Sequence, residues 1–151
     1  MNFIYSFLIV ISSWGLGAIV SQLFERRLKD KSLLTNTLSI DKEIYRKIGV
    51  DFFEFLVTKT IYGKMNRTIR INGISCSNLL ISRHEMIKSE FGHFIGLLSS
   101  QLILFIVFDL RSELIFFFSG TAFNLILNLY PILLQQKNRS RINKIIDKYC
   151  C

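Results

Sequence analysis

Charged side chains are missing from three long stretches of this chain. Residues 1–24 hold no Asp, Glu, Lys or Arg, residues 91–108 hold none, and residues 114–138 hold only Lys137. Proline is nearly absent as well: Pro131 is the single one in 151 residues. Half of the residues are hydrophobic, which excludes a disordered segment, since disorder needs low hydrophobicity. The mean hydropathy of +0.38 nevertheless coexists with one-fifth charged residues and a net charge of +8. A soluble domain would spread its apolar residues along the chain; here they are gathered into the charge-free runs. Each run is about long enough to cross a ~30 Å hydrocarbon core at ~1.5 Å per residue. Also lacking are GxSxG, Walker and GxGxxG motifs, which removes three common catalytic and nucleotide-binding classes. The basic segments lie beside the apolar runs and carry no recognition fold, so no nucleic-acid partner is expected.

What is present reads as an all-α integral membrane protein, a single membrane domain over 1–151. Three transmembrane helices are expected at 3–24, 91–108 and 114–135, with a cytoplasmic amphipathic helical segment between the first two. The middle span continues upstream without Gly or Pro, so one long helix is expected over 78–108, with Ser77 as N-cap. Segment 25–90 carries thirteen Lys/Arg against eight acids, and 137–151 carries five against one. Both therefore belong on the cytoplasmic side of a cell (inner) membrane, with the N-terminus out and the C-terminus in. The short connection at 109–113 then forms a tight helical hairpin. Residues 1–24 lack the basic start and the cleavage site of a signal peptide, and Ser13, Gly17 and Ser21 form a small-residue face for close helix packing. Within the cytoplasmic segment 25–77, residues 41–60 read as an amphipathic helix. Two placements stay open for it: flat in the membrane interface, or packed on the inner ends of the spans. Residues 63–73 read as a basic turn. Cys76, Cys150 and Cys151 fall on the cytoplasmic side and are expected as free thiols, with acylation of the terminal pair as an alternative.

Polar residues inside spans are the informative ones, because each must find a partner there. Glu85, Ser89, Glu90 and His93 fall on one helix face roughly 140° wide, and Glu90 and His93 are one turn apart. Gly96 and Ser100 continue that side. On the third span, Thr121, Asn124, Asn128 and Gln135 project within about 60° of one another. Pro131 frees a backbone carbonyl near Leu127. Asn138, Arg139, Ser140 and Arg141 follow as a basic cluster in the tail 136–151. Each feature has a plainer reading: a structural Glu–His bond, amides that glue helices, cations that mark topology. A metal site at His84, Glu85, Glu90 and His93 is not expected, since His84 points away from His93. Acid, imidazole, amides and guanidinium at one depth suit a site that deprotonates a hydroxyl, holds an oxyanion and binds a phosphate-bearing donor.

Two stretches carry a family resemblance. Glu85-Met86-Ile87-Lys88-Ser89-Glu90-Phe91-Gly92-His93 resembles the E-x-x-[RK]-x-E-x-x-H stretch of the glycosyl-4,4′-diaponeurosporenoate acyltransferases, small membrane enzymes of staphyloxanthin-type carotenoid biosynthesis. Asn128 to Arg141 (NLYPILLQQKNRSR) is similar to that family's N-x-x-P-I-x-x-Q-R-Y-N-R-x-R signature, with Gln136 and Lys137 standing where Arg and Tyr are usual. Residues 44–50 are similar to a further family segment, but the Trp-Lys and Leu-Pro elements that should follow are missing from 51–59. The resemblance implies a membrane acyltransferase. It would move a fatty acyl group from a thioester donor, such as acyl-CoA, to a hydroxyl of a glycosylated carotenoid or glycolipid, without a cofactor. On that reading His93 is the general base, Glu90 holds its tautomer, and Asn128 or Gln135 donates to the oxyanion. Asn138, Arg139 and Arg141 would bind the donor, with Glu85 and Lys88 ordering the helix or the donor. The rival reading is a non-catalytic three-span subunit whose polar stripes bind partner helices or lipid. Three helices enclose little volume, which favours a homo-oligomer or a membrane partner.

Overall fold

The structure, a computed structural model, describes residues 2–25, 42–59, 75–108 and 113–150. Every element among them is helical: α1 (Asn2–Leu23), α2 (Lys42–Lys47), α3 (Val50–Lys59), α4 (Cys76–Val107), α5 (Leu114–Asn124), a π-helical turn (Leu125–Leu129) and α6 (Tyr130–Tyr149). Three stretches, Phe3–Leu23, Cys76–Val107 and Leu114–Tyr149, are long and apolar enough to cross a membrane. The charge-free runs therefore correspond to the three long helical stretches of an all-α membrane protein. The basic turn at 63–73 and most of the connection at 109–113 lie outside the described residues.

Residues 41–60 were expected as one helix, and the described part, 42–59, forms two. Gly49 adopts φ 78°, a left-handed value that glycine takes without a Cβ clash. Its N–H bonds back to the Arg46 carbonyl at 3.2 Å, closing α2, and its own carbonyl accepts from Phe53 at 3.0 Å, opening α3.

The described residues form two compact units. The first unit holds α1, the 89–107 portion of α4, α5, and the π turn through Ile132. Its seam is the small-residue face of α1. A Cβ added at Gly17 would stand 2.0 Å from the Gly92 carbonyl oxygen, and one added at Gly96 would stand 3.3 Å from the Ser13 carbonyl oxygen. Backbones thus touch without intervening side chains, the packing that lipid favours because it offers no hydrophobic drive of its own. Edge-on aromatic pairs extend the α1–α5 contact, with ring centroids 5.0 Å apart for Phe3–Phe116 and 5.5 Å for Phe7–Phe123. The buried Ser6 hydroxyl donates to the Phe116 carbonyl at 3.1 Å.

The second unit holds α2, α3, the start of α4 through Lys88, and α6 from Leu133. Tyr45, Val50, Leu79 and Ile142 form its buried apolar centre. Lys137 of α6 is paired to Asp51 at 2.5 Å and also to Glu54, and Arg141 meets Glu54 at 3.2 Å. Cys76 and Cys150 are joined by a disulfide with Cα atoms 5.6 Å apart. Two of the three cysteines expected as free thiols are thus paired in the structure. The first residue of α4 and the residue just after α6 are brought within bonding reach, a proximity that no sequence spacing discloses.

Candidate active site

His93 lies on α4 and Asn128 in the π turn, both within the first unit. His93 Nδ1–H donates to Asn128 Oδ1 at 3.3 Å. An amide oxygen can only accept, so Nδ1 carries the proton and, in the neutral ring, Nε2 keeps its lone pair. The amide is itself held in orientation. Asn128 Nδ2 donates to Asn124 Oδ1 at 2.8 Å; Asn124 Nδ2 donates to the Leu97 carbonyl at 3.0 Å and to Gln101 Oε1 at 3.3 Å. Gln101 Nε2 then donates to Thr121 Oγ1 at 3.2 Å, whose hydroxyl closes on the Phe117 carbonyl at 2.9 Å. Asn124 and Asn128 are fully buried. Each donor atom in the chain of bonds has at least one acceptor, as a polar network at membrane depth requires.

The local backbone explains why these groups meet. Pro131 has no N–H to return to Leu127, and the helix widens just before it into the π turn, where Tyr130 N–H reaches five residues back to the Leu125 carbonyl. The Leu127 carbonyl is a second acceptor beside the His93 ring, this one from the backbone. Gly96 makes the room: a Cβ there would come within 2.8 Å of Asn128 Oδ1. Trp14 of α1 lies nearly parallel to the imidazole, with centroids 6.4 Å apart and planes 19° apart.

The sequence-derived site residues separate into groups. His93, Glu90 and Asn128 belong to the first unit. Glu90 is buried, 3% exposed, and the side chain that meets His93 Nδ1 is Asn128. Asn128, expected as an oxyanion donor, has one N–H committed to Asn124. Glu85, Lys88, Gln135, Asn138, Arg139 and Arg141 belong to the second unit. There Glu85 and Lys88 pair with each other at 3.7 Å, while Gln135 and Asn138 are half-buried. Arg139 and Arg141, both expected to bind the donor, point apart. Residues two apart on a helix point about 200° apart, and Arg139 is 1% exposed whereas Arg141 is open to solvent and bound to Glu54. Gln101 and Trp14 were not expected at the site. Gln101 stood in plain view as a polar residue within a span, but its partner on α5 depends on the packing.

An open cleft of about 470 Å³, lined by Tyr5, Leu8, Ile9, Ser12, Ile103, Val107, Phe108 and Glu113, also lies in the first unit. It is mostly apolar and none of the His93 network lines it, so it offers room for a hydrocarbon chain rather than a place for acid–base chemistry.

The family profile of the glycosyl-4,4′-diaponeurosporenoate acyltransferases matches residues 25–148. The chain belongs to this family. Its membership makes it an acyltransferase acting on a glycosylated carotenoid, and the three membrane-spanning helices suit a lipid-soluble substrate. No curated protein and no solved structure matches the chain.

Proposed function

We propose that this acyltransferase uses His93 Nε2 as general base, moving a fatty acyl group from a thioester such as acyl-CoA to a sugar hydroxyl of its glycosylated carotenoid. The observation that carries the reading is the His93 Nδ1–Asn128 Oδ1 hydrogen bond, which leaves Nε2 as the basic nitrogen. Nε2 takes the hydroxyl proton as the sugar oxygen attacks the thioester carbonyl carbon. The tetrahedral intermediate collapses with cleavage of the C–S bond, and the imidazolium returns the proton to the departing thiolate. The products are an ester and a free thiol. The buried Glu90 carboxylate, one turn before His93, favours the transient imidazolium. The second Nδ2 proton of Asn128 is the donor left for the developing oxyanion.

The positive-inside distribution supports an N-terminus outside and a cytoplasmic C-terminus in the cell membrane, where the thioester donor is made available. The phosphates of such a donor suit the basic tail, in which Arg141 is an exposed guanidinium. The rival reading, polar stripes that bind partner helices, has less support, because Asn124, Asn128, Gln101 and Thr121 satisfy one another within the chain.

The reading is tested with the reconstituted protein, a radiolabelled acyl-CoA and the glycosylated carotenoid. Label is expected in a new, less polar carotenoid with wild type and not with His93→Ala. Equal labelling by the two proteins would overturn the assignment of His93.

A further inference from the structure

We infer that α3 lies in the membrane interface and beds an aromatic stripe among lipid acyl chains beside the headgroups. The helix has three distinct sides. Val50 is buried in the second unit, and Phe53 and Val57 are half-covered. The acidic edge, Asp51 and Glu54, is ion-paired to Lys137 and Arg141 of α6. The remaining side carries Phe52, Phe55 and Leu56, which are 66%, 55% and 41% exposed, with Lys59 next on the same stripe. These four positions fall within about 100° of one another on a helix. Before the Gly49 break, Ile44 and Ile48 are also exposed apolar side chains, at 48% and 40%.

The ion pairs set the depth of this stripe. Lys137 and Arg141 stand two and six residues past Gln135, where the apolar run of the third span ends, so they lie roughly 3 and 9 Å along the helix beyond it. The interfacial zone on each side of a hydrocarbon core is about 5–8 Å deep. Lys137 falls inside that zone and Arg141 just past its outer edge, so a helix tied to both is held beside the headgroups, at the level where an apolar face reaches the acyl chains. The charges around the stripe favour lipid over a second copy of the chain. Arg46 and Lys47 end α2 and Lys59 ends α3, all exposed. Such a rim attracts anionic headgroups and repels its own copy. The inference stands independently of the catalytic reading.

The test uses the full-length protein in vesicles of phosphatidylcholine and phosphatidylglycerol. Phe55→Trp adds one fluorophore to the native Trp14, whose emission is subtracted with the unsubstituted protein. The added emission is expected to be quenched at least about threefold more strongly by lipids brominated near the headgroup end of the acyl chain than by aqueous iodide. Quenching by iodide as strong as that of free indole would overturn the inference, because the stripe would then face water. Protection from both quenchers would also overturn it, since a protein partner or a second copy would then cover the stripe. Phe52→Trp reads the same face and replaces Phe55→Trp if that variant fails to insert.

Discussion

At the scale of single residues, the account turns on which atom holds the His93 proton. Removing the base by His93→Ala should lower acyl transfer by about 10²–10⁴-fold while membrane insertion and yield persist, as measured by product formation per inserted protein. Gly96→Ala reaches the same ring indirectly. Its Cβ would stand 2.8 Å from Asn128 Oδ1, so the amide must move and the Nδ1 bond is lost. We expect about a tenfold or larger drop in kcat, with ¹⁵N NMR of labelled His93 showing a loss of the Nδ1–H tautomer. Unchanged tautomer and rate would show that Asn128 does not orient the ring. His93, Glu90 and Asn128 were all legible as polar residues placed where lipid should be. The pairing among them was not. Helix spacing puts Glu90 one turn from His93, whereas the partner chosen, Asn128, lies on another helix and depends on how the two pack.

At the scale of elements, the seam of α1 is the point most sensitive to size. Gly17→Ala would drive a Cβ to 2.0 Å from the Gly92 carbonyl oxygen, whereas Gly15 has nothing within 4 Å of the same added atom. Gly17→Ala should destabilise the helical assembly by ~1–3 kcal/mol and Gly15→Ala by less than ~0.5 kcal/mol, compared by thermal unfolding in one detergent. The small-residue repeat of Ser13, Gly17 and Ser21 disclosed that face in advance, because lipid leaves close backbone contact as the main means of packing. The ion pairs of α3 make a second measurement. A double-mutant cycle on Lys137→Met and Glu54→Gln should return a coupling of about 1 kcal/mol or less, since Glu54 keeps Arg141 as a partner and the site is partly wet. Two features of the elements resisted a wheel drawn at a constant angle per residue. The π turn at Leu125–Leu129 alters the angular count of the residues beyond it, Gln135 among them. The break at Gly49 was written in the sequence as a glycine, but only its left-handed φ makes it a stop.

At the scale of the whole molecule, charge segregation made the three spans and their number legible, and family membership supplied the reaction class. Topology is open to direct test. Membrane-impermeant maleimide should label Cys151 only after cells are permeabilised, and labelling in intact cells would reverse the assignment. The Cys76–Cys150 bond bears on the same question. Cytoplasmic thiols are kept reduced, so thiol trapping at lysis reads the side of the membrane directly: with that end of the chain in the cytoplasm, Cys76 and Cys150 are trapped free and the bond forms only on oxidation. A bond already present at lysis would place that end of the chain on the oxidising side. The bridge escaped the sequence because two cysteines 74 residues apart become neighbours only through the fold. The central claim, acyl transfer to a glycosylated carotenoid through His93, is tested most directly by mass spectrometry of the carotenoids made in cells. Cells with the wild-type chain should contain the glycosylated carotenoid ester plus one fatty acyl group, and cells with His93→Ala should accumulate the same species lacking that group. An acylated carotenoid at wild-type abundance in the His93→Ala cells would contradict the account.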